Sequence, residues 1–115
     1  MTRVRLLAFL MSMHIVTAAH ADDHQAAKAA CQSFALRELK SPATARFEPL
    51  GEAAAQPSTD KRWIGKHDVW DSISWVDSQN SYGALLRSDF SCSVQKSKNG
   101  TWVLLDIYWF KDRVK

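Results

Sequence analysis

Two cysteines, Cys31 and Cys92, are the only ones in this chain of 115 residues, and they lie 61 positions apart. If they are joined, the structure around Cys31 must pack directly against the structure around Cys92. The chain-entropy relation assigns a loop of this length roughly 4 kcal/mol of stabilisation, a large share of a small domain's stability. Whether the cysteines are joined depends on the compartment in which the protein folds, because oxidising compartments favour disulfides.

The N-terminal segment, residues 1–21, has the order of a secretory signal peptide. Two arginines supply positive charge, residues 6–16 form a mostly apolar run, and the segment ends in Ala-His-Ala, a cleavage site of the A-x-A type. The run is much shorter than the roughly 20 residues that cross a bilayer, so it predicts export and no membrane span. We therefore expect a periplasmic or secreted protein that begins at Asp22 and contains one disulfide.

The charge of the mature chain gives no sign of a polyanionic partner. Cleavage after Ala21 removes two of the fifteen basic residues and none of the twelve acidic ones, which leaves a nearly neutral protein. Positive and negative residues alternate along it without a block of like charge. Because nucleic acids and anionic lipids are bound by basic patches, we expect no nucleic-acid partner.

Residues 22–40 carry the pattern of a helix. The stretch is rich in alanine, with acidic residues at its start and Lys40 at its end, as the helix dipole favours. At about 100° per residue, one face collects an apolar stripe. Its members are Ala27, Cys31, Phe34, Ala35 and, at the edge, Leu39. Glu38 falls on the same face, where it either reaches water or pairs with Arg46 or Arg87.

The rest of the chain reads as turns and strands. Ser41 and Pro42 end the helix and favour a short second turn through Ala45. Residues 48–61 are rich in Pro, Gly, Ala, Ser and Thr, which predicts a surface loop within a single domain, 22–115. Strand-like stretches follow at 69–79, 84–96 and 101–110, with a further short strand considered at Trp63-Ile64.

These elements predict an α+β domain in which an N-terminal helix packs on an antiparallel meander of three to four strands. The middle strand has an apolar face that includes Cys92, and this face must meet the helix. A four-residue first turn would place Ile73 and Trp75 on the same inner face. A three-residue second turn would bury Asp106, so we favour an even length. That length buries four apolar side chains, Val103, Leu105, Ile107 and Trp109.

The same register turns a second apolar set outward, and we take it as a candidate interface. Its members are Trp102, Leu104, Tyr108 and Phe110. A solvated face is not expected to be this apolar. Two coverings are possible: residues 47–64 fold across it, or it binds a protein partner or a second copy of the chain.

Two segments, residues 39–47 (LKSPATARF) and 76–84 (VDSQNSYGA), resemble signatures of an uncharacterised family of small exported bacterial and phage-associated domains. The resemblance spans most of the mature chain and implies a recurrent domain without a known activity. In the second segment, Asp77, Gln79 and Asn80 have side chains suited to hydrogen bonds that shape a turn, with Arg87 nearby.

Chemical motifs are few. His67 and Asp68 occur beside many serines, but no nucleophile motif accompanies them, so we expect a non-enzymatic protein without a cofactor. The mature N-terminus would place His24 third, and its amine, two amide nitrogens and imidazole would suit Cu(II) or Ni(II). We expect an exported binding or accessory protein that acts through a protein partner. The alternatives are an inhibitor or immunity-type protein against a specific enzyme, and a copper or nickel binder.

Overall fold

The computed structural model describes residues 22–110 and shows the α+β fold that the sequence predicts. One helix, α1 (Asp23–Leu36), precedes an antiparallel sheet. The strands are β1 (Arg46–Phe47), β2 (Gln56–Pro57), β3 (Val69–Gln79), β4 (Leu85–Lys96) and β5 (Trp102–Phe110). Short 3₁₀ helices lie at Pro42–Thr44 and Lys61–Trp63. The predicted signal peptide, residues 1–21, lies outside the described residues.

The three long strands form the predicted meander, and two very short strands extend the sheet on one side. β1 pairs with β3 where Phe47 lies opposite Val76, and β2 pairs with the same strand where Pro57 lies opposite Trp70. Within residues 22–110, β5 pairs with β4 alone. The short strand considered at Trp63-Ile64 is wrong, because Trp63 belongs to a 3₁₀ helix.

The disulfide holds α1 against the centre of the sheet. Cys31 and Cys92 are joined, with their Cα atoms 5.9 Å apart, and both are buried. The predicted apolar stripe is confirmed, since its members lie in the core or pack against it. α1 ends at Leu36 rather than at Lys40, and the short second turn follows at Pro42–Thr44 as predicted.

The first hairpin has a different loop length from the one expected, and this corrects the inner face of β3. Gln79 lies opposite Leu85, so the loop between them has five residues, 80–84. Because side chains alternate along a strand, the extra residue reverses which of them face the helix. Ile73 and Trp75 therefore point away from α1, whereas Ser74 and Val76 lie on the inner face and are buried.

The second hairpin turns through three residues rather than the even number predicted. This is the length that was expected to bury Asp106. The Ser97 N–H donates to the Thr101 carbonyl at 2.8 Å, and Gly100 adopts a positive φ of 93° in the turn. Further along the pair, Val94 lies opposite Leu104 and Ser93 opposite Asp106. Leu105 is thus an extra residue, a β-bulge that restores the outward position of Asp106.

The bulge divides β5 into a stretch with the predicted orientation and a stretch with the opposite one. Beyond it, Ile107 and Trp109 lie opposite Cys92 and Phe90 on the inner face, as predicted. Before it, the prediction for Trp102 and Leu104 is wrong. Both lie on the helix side and pack against the core, and Val103, expected inside, is exposed.

A fully buried lysine organises the loop between β1 and β2. The Lys28 ammonium on α1 donates to the carbonyls of Pro49 at 3.0 Å, Ala53 at 3.3 Å and Glu52. It also lies 3.4 Å from a carboxylate oxygen of Glu48, which is almost completely buried. Desolvating an ammonium is costly, and these oxygens replace its water.

Glu48 links this ammonium to the sheet and to a second position on the helix. Its carboxylate accepts a hydrogen bond from the Ser74 hydroxyl at 2.8 Å, and its carbonyl accepts one from the Gln32 amide at 2.9 Å. Residues 49–54 are exposed, as expected for a surface loop. Their backbone is nevertheless attached to α1 through the hydrogen bonds that the Lys28 ammonium donates to their carbonyl groups.

We expect Lys28→Met to lower the free energy of unfolding by about 3 to 5 kcal/mol, because it leaves the Glu48 carboxylate buried without its cation. Urea unfolding measures this change. The matched control is Lys66→Met, whose lysine is exposed and which we expect to change stability by about 0.5 kcal/mol or less. Adding Glu48→Gln to Lys28→Met should recover part of the loss. Equal stability of Lys28→Met and the wild type would contradict the role assigned to the ammonium.

Candidate functional site

Four apolar side chains on the sheet face opposite α1 lie in two rows, and we call these four the apolar outer patch. Ile73 and Trp75 lie on β3, and Tyr108 and Phe110 lie on β5. On β4, Ser91 lies opposite both Ile73 and Tyr108. Asp89 lies opposite both Trp75 and Phe110. The two rows therefore flank the central strand.

Much of this patch is open to solvent. Ile73 is 64% exposed, Tyr108 54% and Phe110 37%. The rings of Tyr108 and Phe110 meet edge to face, with centroids 5.2 Å apart, so the pair forms one aromatic surface. Exposed apolar side chains grouped on one face, with polar residues around them, are characteristic of interaction sites.

A charged pair borders the patch and orders its tryptophan. Arg87 donates two hydrogen bonds to the carboxylate of Asp77, at 2.8 and 3.0 Å, and its guanidinium carbon lies 3.6 Å from the centroid of the Trp75 ring. The hydrogen bonds from Arg87 hold the pKa of the Asp77 carboxyl below its usual value. The pair therefore stays ionised at neutral pH, with the indole packed beneath it.

The segment before β3 covers the opposite end of the same face. The Asp71 carboxylate accepts hydrogen bonds from the Ser58 hydroxyl at 2.7 Å and the Ser93 hydroxyl at 2.6 Å. Arg62 reaches Asp106 at 3.3 Å. These contacts are polar and leave the apolar outer patch open. Residues 47–64 are thus a partial cover, and the predicted lid does not extend to the aromatic pair.

The structure places half of the candidate interface where the sequence predicted it. Tyr108 and Phe110 face outward, while the bulge turns Trp102 and Leu104 toward the helix. Ile73 was not predicted to lie on this face, because its predicted inward position assumed a four-residue loop in the first hairpin. The same error hid Trp75, whose contact with Arg87 joins the two halves of that hairpin.

The predicted turn residues contribute in three different ways. The Asn80 carboxamide oxygen accepts hydrogen bonds from the N–H groups of Tyr82 at 2.9 Å and Ala84 at 3.0 Å, which shape the loop. Gln79 contributes its backbone N–H, which donates to the Thr44 hydroxyl at 3.0 Å. Asp77 pairs with Arg87. The segments 39–47 and 76–84 are therefore neighbours in the fold.

A cleft of about 330 Å³ opens where these two segments meet, beyond the end of α1. Leu39, Leu86 and Trp109 give it an apolar lining, and Lys40 and Gln79 add polar groups. Glu38 also lines it and accepts a hydrogen bond from the Trp109 indole at 2.7 Å. Glu38 is exposed, as the alternative in which it reaches water predicted, and its partner in the fold is this indole rather than Arg46 or Arg87. The cleft has the size and lining to take one apolar side chain.

His24 lies in the first turn of α1, against the loop between β1 and β2 and against Trp70 of β3. Its Nδ1 donates to the Ala55 carbonyl at 2.9 Å, and its ring meets Trp70 edge to face with centroids 4.9 Å apart. A copper site that uses Nδ1 would have to break this hydrogen bond. Copper or nickel binding at the mature N-terminus stays a prediction. Residues 22–110 contain no group of three or more histidine, cysteine, aspartate or glutamate side chains placed to hold a metal ion.

Two further findings concern membrane-spanning helices and similarity to known proteins. In the described part of the chain, none of the helices has the length and apolar character needed to span a bilayer. Comparison of the chain with family models, curated proteins and solved structures finds no match. The resemblance carried by residues 39–47 and 76–84 stays a prediction, and the function has to be argued from the surface itself.

Proposed function

We propose that this chain is exported, is cleaved after Ala21, and acts outside the cytoplasm as a non-enzymatic accessory protein. In this proposal it binds another protein through the apolar outer patch. The observation that carries the proposal is the exposure of Ile73, Tyr108 and Phe110 on a sheet face that the chain's own loop covers only in part.

The disulfide supports the proposed compartment. Cys31 and Cys92 are buried at the contact between α1 and β4, where their bond is part of the core. A disulfide that a small domain needs for its core is typical of proteins that fold in oxidising compartments. The sequence of residues 1–21 has the charge, apolar run and small residues of an export signal.

The chemistry of the patch favours a protein as the partner. Aromatic side chains and arginine are enriched at the energetic centres of protein interfaces. Here Arg87 holds Trp75, and Phe110 holds Tyr108, so little side-chain entropy remains to be lost on binding. The patch lies on a sheet face that carries the carboxylates of Asp77 and Asp89 beside the guanidinium of Arg87, whereas a nucleic-acid site would be basic.

Intact mass spectrometry of protein recovered from the periplasm tests export. We expect a chain that begins at Asp22 and lacks the two thiol hydrogens of Cys31 and Cys92. Reduction should restore those hydrogens. A chain that retains residues 1–21, or one with two free thiols, would contradict the proposed compartment.

Affinity capture of the partner by variants of this chain tests the patch, with one isoleucine substituted inside the patch and one outside it. We expect Ile73→Lys to reduce retention of the partner about tenfold or more, the effect of losing a central apolar contact. Ile64→Lys is the matched control, because Ile64 is 79% exposed but lies outside the patch, in the segment before β3. Quantitative mass spectrometry of the captured proteins reads the result. Equal capture by the wild type and both variants would exclude the patch as the binding surface.

The first hairpin supports a second candidate function, an inhibitor of one specific enzyme. Tyr82 at its tip is 92% exposed, and the loop is held by the Asn80 side chain and by the Asn80 N–H, which donates to the Ala84 carbonyl at 2.9 Å. Gly83, with a φ of 84°, permits the tight turn. A rigid loop that presents one aromatic side chain is a suitable shape for insertion into an enzyme's cleft.

The two candidate functions place the binding residues on different parts of the molecule, so different substitutions should abolish binding. If the hairpin tip is the binding element, Tyr82→Ala should abolish capture of the target while Ile73→Lys retains it. Tyr108→Ala is the matched control for Tyr82→Ala, since it removes the chain's other tyrosine from the patch. Undiminished capture by Tyr82→Ala would rule out the inhibitor function.

A further inference from the structure

The two edges of the sheet differ in how they are covered. The outer edge of β3 is paired with β1 at one end and with β2 at the other. On the other side of the sheet, β5 has no second strand neighbour within residues 22–110. A strand at such an edge presents a row of hydrogen-bonding backbone groups to any further strand.

β5 also lacks most of the features by which proteins protect an edge. Its nine residues include one charged side chain, Asp106, and neither a lysine nor a proline. Its protection is the bulge at Leu105, which leaves residues 106–110 as a regular stretch. This stretch carries Tyr108 and Phe110, the exposed aromatic pair.

The hydrogen-bond pattern identifies the backbone groups at the open edge. The Asn80 N–H bonds Ala84 across the first hairpin, and the Lys96 N–H bonds Asp68, so even-numbered residues of β4 direct their backbone toward β3. Odd-numbered residues of β4 direct theirs toward β5, where they oppose Asp106, Tyr108 and Phe110. The N–H and C=O groups of Ile107 and Trp109 therefore point away from the sheet.

We propose that two copies of this chain pair through β5 in antiparallel orientation, with Tyr108 of one copy opposite Tyr108 of the other. In this register, Ile107 of each copy exchanges backbone hydrogen bonds with Trp109 of the other. A register centred on Ile107 would draw the bulged Leu105 into the ladder. Among the described residues, a register centred on Trp109 would pair only Tyr108, Trp109 and Phe110.

A second copy fits this edge because the proposed register is complementary to itself. Antiparallel pairing of identical strands generates a two-fold axis, and the same surface then serves both partners. Asp106 comes opposite Phe110 of the other copy, so no like charges face each other, and Arg62 already neutralises Asp106 at 3.3 Å. The tyrosines form a close cross-strand aromatic pair. The two sheets become continuous and carry two apolar outer patches on one face.

Cysteine substitution tests the register directly. Residues opposite each other in a pair without backbone hydrogen bonds have Cα atoms about 4.5 Å apart, within the range that a disulfide spans. We expect Tyr108→Cys to form a covalent dimer on mild oxidation, seen on a non-reducing gel, while Cys31 and Cys92 stay joined in the core. Tyr82→Cys is the matched control and should stay uncrosslinked, because that side chain lies at the hairpin tip. Absence of the covalent dimer for Tyr108→Cys would overturn the register.

Sedimentation of the full mature chain tests the dimer without crosslinking. We expect the wild type and Tyr82→Lys to sediment as dimers that dissociate on dilution. Tyr108→Lys should sediment as a monomer, because it places a charge at the edge. It should still unfold cooperatively, since the replaced side chain is exposed, and its unfolding midpoint should not depend on protein concentration, unlike that of the dimeric wild type. A monomeric wild type would overturn the proposal, as would a dimer that persists in Tyr108→Lys.

The dimer proposal and the proposed function can be contradicted independently of each other. The pairing rests on the backbone edge of β5, whereas partner binding is read from Ile73 on β3. Ile73→Lys should stay dimeric while it loses the partner. A monomeric wild type that still captures its partner through Ile73 would overturn the dimer and leave the proposed function intact.

Discussion

The bond between Cys31 and Cys92 decides which face of the sheet is the inside. It fixes the middle of α1 to the middle of β4, the strand that lies between the other two long strands. Once β4 is oriented, each neighbouring strand has two possible arrangements. Its even-numbered side chains face the helix in one arrangement, and its odd-numbered side chains face the helix in the other. What distinguishes the helix side from the outer face follows from this constraint, from two loop lengths and from the bulge at Leu105.

The sequence was sufficient for the features that depend on local pattern. The helix, the three long strands and the disulfide were predicted, because each rests on periodicity or on a single pairing argument. The inward position of Ile107 and Trp109 was predicted from an even-length second turn, and it is correct because the bulge at Leu105 compensates for the three-residue turn. The outward position of Tyr108 and Phe110 was predicted for the same reason. These two residues are the part of the candidate site that sequence reasoning found.

The remainder of the site depended on registers that periodicity does not determine. β3 places serines at positions 72 and 74 on its buried face, whereas Ile73 and Trp75 between them are the residues that a hydrophobicity pattern would bury. The buried Ser74 is tolerated because its hydroxyl donates to Glu48. That partner lies 26 positions away, so the sequence gives no local signal of it. On β5, the penalty for burying Asp106 was recognised, but a single bulged residue relieves it as well as a change of turn length does.

Lys28 has a consequence for the edge of the sheet that it never touches. Its carbonyl partners lie in the segment that joins β1 to β2, and these two short strands cover β3. Strands of two residues have little stability of their own, so β1, β2 and the segment between them should open as one cooperative unit whose free energy is set largely by the ammonium. Among residues 22–110 no strand covers the edge at β5, whereas the edge at β3 loses its covering strands only when this unit opens. The buried cation therefore sets how often the backbone groups at the β3 edge are exposed to pairing with a further strand.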